Sequence, residues 1–169
     1  MSAHRIEVDR TIAASPSSIF EILASPDGHV AIDASGMLMS ATGEPVRAVG
    51  DRFVVHMDRD SLRDFDLGEY DVTVVISEFD PDREIAWTID GQIQPPIGHV
   101  YGYRLELVAG GTLVTSYYDW SNLHEAYREA AEALFPVISE ANLRATLGIL
   151  ARTVAPGARR PPAPQPDEA

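Results

Sequence analysis

The order in which structural signals follow one another constrains this chain more than any single motif. Ile6, Val8, Arg10 and Ile12 alternate with Glu7, Asp9 and Thr11, which spells a strand with one buried face. Ser15-Pro16 then reads as a helix N-cap followed by proline at the first helical position, where its missing N–H costs nothing. Ile19, Phe20, Ile22 and Leu23 supply that helix's buried side, and Ser25-Pro26-Asp27-Gly28 breaks it, with a short second helix expected at His29–Asp33. Several strands follow, and one amphipathic helix closes the pattern. A sheet made first and a long helix made last suggest a curved antiparallel sheet gripping that helix, with room for a ligand between them.

The strands are read from period-two alternation. Met37–Ala41 is a weak one, followed by a turn at Gly43-Glu44-Pro45. Asp51–Asp58 is stronger and sets Phe53, Val55 and Met57 on one face. Tyr70–Glu78 sets Tyr70, Val72, Val74 and Ile76 against Asp71, Thr73, Val75 and Ser77. Glu84–Ile89 turns Ile85, Trp87 and Ile89 inward, and Gly91–Gly98 is a long connection. His99–Val108 and Thr112–Trp120 form a hairpin across Ala109-Gly110-Gly111, with His99, Tyr101, Tyr103, Leu105 and Leu107 on one face of the first strand. Val114, Ser116, Tyr118 and Trp120 share a face of the second.

Helical spacing takes over after Trp120. Asn122 is expected to cap a helix whose stripe is Leu123, Tyr127, Ala131 and Leu134, with Glu125 completing a capping box, and Pro136 interrupts it. A last helix runs from a cap at Ser139 to about Val154, with Leu143, Leu147, Leu150 and Val154 along one face. Residues 1–155 therefore read as one α+β domain, and the proline-rich 156–169 as a disordered or polyproline-like tail.

Composition removes several classes of function. With no cysteine there is no disulfide, thiolate nucleophile, cysteine-ligated zinc or iron–sulfur cluster. A formal net charge of -13 repels nucleic-acid phosphates and anionic membrane surfaces. No apolar run reaches the ~20 residues of a membrane span, and the N-terminus lacks the apolar stretch of a signal peptide. A cytoplasmic protein with no nucleic-acid partner is the expectation.

Together the segments Ile12-Ala13-Ala14-Ser15-Pro16-Ser17-Ser18-Ile19-Phe20, Gly50-Asp51-Arg52-Phe53, Ser77-Glu78-Phe79-Asp80-Pro81, Ile85-Ala86-Trp87, Tyr103-Arg104-Leu105-Glu106-Leu107, Gly111-Thr112 and Asp119-Trp120-Ser121, with the closing helix, carry a likeness. In their order and spacing the chain resembles the START-like (SRPBCC) superfamily of helix-grip folds, and within it the polyketide cyclase/dehydrase-like proteins. The likeness covers about residues 4–155. It implies a hydrophobic cavity between the curved sheet and the long helix. Members bind lipids, sterols, polyketides or plant hormones, and a minority catalyse cyclisation or dehydration. They share no catalytic motif, so the resemblance assigns no catalytic residue here.

The residues themselves suggest a ligand-binding lining of Phe53, Val55, Met57, Val74, Trp87, Tyr101, Tyr103, Tyr118, Leu143 and Leu147. Aromatic walls with a few hydroxyls suit flat, partly oxygenated molecules. Ordinary core packing is the competing reading for each tyrosine, and a core anchor for Trp87. His99 is the foremost acid/base candidate, with Tyr101 and Tyr118 beside it, because its ordinary pKa lies near neutrality. Its place after Pro95-Pro96-Ile97-Gly98, however, favours an exposed rim position. His56 is expected on the outer surface. The histidines show no metal-ligand spacing, and Asp58, Asp60, Asp64 and Asp66 lack the order of a calcium loop, so neither metal nor cofactor is expected. There is no G-x-S-x-G elbow and no phosphate loop.

Three functions follow. The first is a module that binds a small hydrophobic or aromatic molecule, gated by the Leu123–Leu134 helix and the Gly91–Gly98 connection. The second is a cyclase/dehydratase-type enzyme acting in the same cavity. The third is an interaction protein with a filled core, whose acidic Asp58–Asp71 segment docks a basic partner.

Overall fold

The computed structural model describes residues 4–165. Its strands are β1 (Arg5–Ile12), β2 (Leu38–Thr42), β3 (Arg52–Asp58), β4 (Glu69–Asp80), β5 (Glu84–Asp90), β6 (Val100–Val108) and β7 (Gly111–Asp119). They form one antiparallel sheet in the order β1-β7-β6-β5-β4-β3-β2. Between β1 and β2 lie α1 (Pro16–Leu23) and α2 (Pro26–Ile32). After β7 come two single-turn helices, α3 (Glu125–Arg128) and α4 (Ala131–Leu134), and then α5 (Glu140–Val154). The last of these packs on β1, β7, α1 and α2, so the sheet grips it as the element order suggests.

Local chemistry explains most boundaries. The Ser15 hydroxyl accepts from the Ser18 amide at 3.2 Å, with Pro16 opening α1. Ser139 caps α5 by accepting from the Asn142 amide at 3.1 Å. At 15 residues α5 is about 22 Å long. Leu143, Leu147 and Leu150 form its buried face, as their spacing requires.

Three expectations are corrected. First, the short second helix starts at Pro26 rather than His29: Ser25-Pro26 repeats the cap-and-proline device of Ser15-Pro16, and Ser25 Oγ accepts from the Gly28 amide at 3.3 Å. The same four residues therefore end one helix and begin the next. Second, Asn122 caps nothing. The His124 amide donates to the Ile97 carbonyl at 2.9 Å, which keeps 122–124 non-helical, and the His124 ring caps the Ala126 amide at 3.2 Å instead. The single expected helix is thus replaced by α3 and α4. Third, Leu107 follows the inward alternation of β6 but is 73% exposed, while Thr112, its partner across the hairpin, is fully buried, so at this level the core covers β7 and not β6.

The strand faces otherwise agree with period two. Phe53, Val55, Met57, Val74, Ile76, Ile85, Tyr103, Leu105, Val114, Ser116 and Tyr118 are all buried. A register shift between Ile76 and Glu78 leaves Ser77 as an extra residue, so Phe79 returns to the same side as Ile76. There it meets Phe20 of α1 edge-on, with ring centroids 5.3 Å apart.

Candidate functional site

The curvature of the sheet leaves a cavity of about 410 Å³ between its concave face, α2, α5 and the segments that close one end. Its floor comes from the strands: Val55 and Met57 of β3, Tyr70, Val72 and Val74 of β4, Trp87 and Ile89 of β5, and Tyr101, Tyr103 and Ser116 of β6 and β7. Leu143, Asn142 and Thr146 of α5 form the opposite wall, and Leu23, His29 and Ile32 one side. The mouth is built by loops. Phe65 and Leu67 come from the β3–β4 connection, Ile93 and Ile97 from the β5–β6 connection, Tyr127 and Leu134 from α3 and α4, and Phe135, Val137 and Ile138 from the approach to α5. Phe65, Leu67, Ile93 and Leu134 are large apolar side chains left substantially exposed at that mouth. Tyr127 ties two of these segments together by donating to the Pro95 carbonyl at 2.6 Å.

Of the residues expected to line the cavity, Val55, Met57, Val74, Trp87, Tyr101, Tyr103 and Leu143 stand on its wall. Phe53, Tyr118 and Leu147 do not. They lie within the packed core, at 2%, 0% and 1% exposure, one layer behind the wall. Period two and helical spacing identify an inward face without saying whether a side chain there meets a void or a neighbour. Trp87 is not simply a core anchor: partly exposed to the cavity, it stacks near Tyr101 at 6.1 Å and receives His29 edge-on at 4.6 Å.

His99 corrects the rim expectation. It is 5% exposed, stands on the cavity wall, and its Nδ1 is 2.9 Å from the Tyr118 hydroxyl. Tyr118 stacks on Tyr101, with ring centroids 4.7 Å apart. All three residues of the acid/base proposal are therefore joined, with His99 and Tyr101 facing the cavity and Tyr118 behind them. Burial pushes the His99 pKa down to about 4, and pushes the Tyr101 and Tyr118 phenols well above their usual range. Near neutral pH the cluster is an uncharged imidazole beside two protonated phenols. Tyr103, also raised by burial, to about 12, lies across from Ser116 in the β6–β7 pairing.

Several polar groups on the wall have no counterpart among the sequence expectations, His29, Arg59 and Asp33 among them. His29 was placed only at the start of a helix, yet it is buried, and its Nε2 lies 2.8 Å from the Leu23 carbonyl. Burial outweighs that contact and lowers its pKa to about 4. Arg59 and Asp33 also reach the wall. The sequence signal for the mouth is present in part: Phe65 and Leu67 alternate within the otherwise acidic Asp58–Asp71 segment. His56 is an outer-surface residue, held between Thr42 and Asp71. Among the described residues no group of three or more His, Cys, Asp or Glu could hold a metal ion, and no helix is long and apolar enough to cross a membrane.

No family model matches the chain, and no curated protein sequence matches it. Solved structures do. The Aha1 dimer from Colwellia psychrerythraea is similar with a TM-score of 0.58 at 20% identity, over 91% of this chain and 98% of that one. An AHSA1-like protein from Aeromonas hydrophila gives 0.58 at 16% identity, over 89% and 91%. A protein from Rhodobacter sphaeroides gives 0.62 at 19% identity, over 93% and 95%. At such identities the likeness is one of fold: the chain has a helix-grip fold, an α+β architecture of seven antiparallel strands and a C-terminal helix.

Proposed function

We propose that the protein binds a small hydrophobic or aromatic molecule in the cavity under α5. The observation that carries this reading is the void itself. Its size falls within the range of about 300–1,000 Å³ found for small-molecule sites, and aromatic and aliphatic side chains bound most of it. Polar groups make up the smaller part of the wall, among them the His29 and His99 imidazoles, Tyr101, Tyr103, Ser116, Asn142, Asp33 and Arg59. Such a wall rewards apolar burial and leaves orientation to a handful of hydrogen bonds. The void also argues against a filled core with the acidic Asp58–Asp71 segment as the working surface.

One observation favours a second reading, a cyclase/dehydratase-type enzyme. The joined His99, Tyr118 and Tyr101 offer an uncharged base and neutral phenol donors to a chain held in a water-poor space. Native mass spectrometry of protein purified from its own host tests both. A co-purifying small molecule of apolar or aromatic type is the expected result. A clean protein mass, together with no rise in melting temperature from flat aromatic probes, would sink the binding reading. Loss of one water from the bound molecule on incubation would move the conclusion to the enzyme.

A further inference from the structure

We infer that the ligand of the cavity carries an acid group, and that Arg59 receives it. This deepens the binding proposal above and rests on it. Among the described residues Arg59 is the one arginine or lysine on the cavity wall. In a chain of net charge -13 it is, among the described residues, the one guanidinium the cavity offers to an anion. Its side chain is only 12% exposed, so a charge brought to it is poorly screened by water.

The way its donors are used leaves room for such a group. Nε and Nη2 hold the two carboxylate oxygens of Asp64, each at 2.9 Å. Asp64 sits on the exposed side of the mouth, its side chain 41% exposed, so a ligand acid that takes the fork competes with this bidentate pair. Nη1 donates to the Tyr70 hydroxyl at 3.2 Å and to the Met37 sulfur at 3.5 Å. A thioether is a weak acceptor, so a strong donor at the wall meets a poor partner that a ligand oxygen improves upon. Charge-assisted bonds from a guanidinium to a carboxylate or sulfonate are among the strongest available to a protein, and the planar fork suits a bidentate acid. Phe65, whose ring lies 5.0 Å from the guanidinium carbon, places an apolar surface beside the same group.

A cationic ligand fits less well. Asp33 is the one carboxylate on the wall among the described residues, and its oxygens are taken: Oδ1 accepts from the Ser35 amide at 2.9 Å and the Ser35 hydroxyl at 2.7 Å, and Oδ2 from the Leu38 amide at 3.2 Å. The wall thus offers a positive group with one donor spent on a weak acceptor, and a negative group whose two oxygens are both engaged. The geometry describes an amphiphile whose flat apolar body lies over Trp87 and Tyr101 and whose acid head stays near the mouth.

Two fluorescent probes that share an apolar scaffold test this: anilinonaphthalene sulfonate, which carries an acid, and N-phenylnaphthylamine, which does not. The quantity read is the ratio of their affinities. The wild type is expected to favour the sulfonate. In R59M, which keeps the apolar stem, the ratio should fall about tenfold, the loss of one charge-assisted contact. In D64N, which frees the guanidinium of its competitor, it should rise about threefold, the scale of an exposed ion pair. A ratio unchanged in both variants overturns the inference while leaving the cavity reading intact. Failure of the wild type to bind either probe overturns the cavity reading and this inference with it. Melting curves establish that each variant is folded; if R59M is not, an unchanged or lower ratio in D64N is enough to reject the role of Arg59.

Discussion

His29 and His99 make the stability of this protein depend on pH in a definite direction. Both are buried on the cavity wall, and burial holds each folded-state pKa at about 4, while an unfolded histidine titrates near 6.5, roughly its unperturbed value. Between those values the unfolded chain binds protons that the folded chain excludes. Their neutral burial is therefore fully tolerated above about pH 6.5, and stability is lost as pH falls towards 4, at about 1.4 kcal/mol per pH unit for each histidine. Urea unfolding measured from pH 7 to pH 4 should show a slope approaching two protons, reduced by one in His99→Gln. A slope identical in the variant would mean that His99 is solvated and titrates freely. None of this was legible at the residue scale. His29 lies at an expected helix start and His99 after a proline pair, and apart from Tyr101 the rings that bury them, Phe53, Trp87, Tyr118 and Phe135, are distant in the chain.

At the scale of elements, the join between α1 and α2 shows where local rules stop. Gly28 sits within α2, and by helix propensity alone alanine there should stabilise by about 1 kcal/mol. A Cβ at that position would stand 1.9 Å from the Ile22 carbonyl oxygen, a backbone atom of the preceding helix. Gly28→Ala is therefore expected to destabilise, by about 2 kcal/mol or more, as overpacking against backbone does. Thermal unfolding of the variant decides the sign, and a raised melting temperature would show that the two helices move apart at little cost. Ser15-Pro16 and Ser139 were readable because a cap acts within three residues of itself. The expected Asn122 cap failed because a longer-range bond, His124 to Ile97, claims the segment first.

For the whole molecule, the grip of the sheet on α5 is the contact that everything else assumes. Leu147 faces the centre of that contact at 1% exposure, not the cavity. Leu147→Ala should cost about 2–5 kcal/mol, the range for deleting a buried leucine. Leu147→Asp should prevent folding, because a carboxylate would enter an apolar space with no partner. Circular dichroism and melting of the two variants check this, and a wild-type melt for Leu147→Asp would refute the packing described here.

The sequence by itself determined the order of elements, the caps of α1 and α5, the buried faces of β3 to β7 and the α+β class, because periodicity and capping are set by residues that are neighbours in the chain. It also marked Val55, Met57, Val74, Trp87, Tyr101, Tyr103 and Leu143 as inward-facing, which they are. Only the tertiary structure decided that these seven face a void while Phe53, Tyr118 and Leu147 are packed solid, and that Arg59, Phe65 and Ile93 come round to close its mouth. Whether an inward side chain meets empty space depends on how far the sheet curves and on which loops fold over its end. Those distances are fixed by contacts between residues far apart in sequence, and no local pattern encodes them.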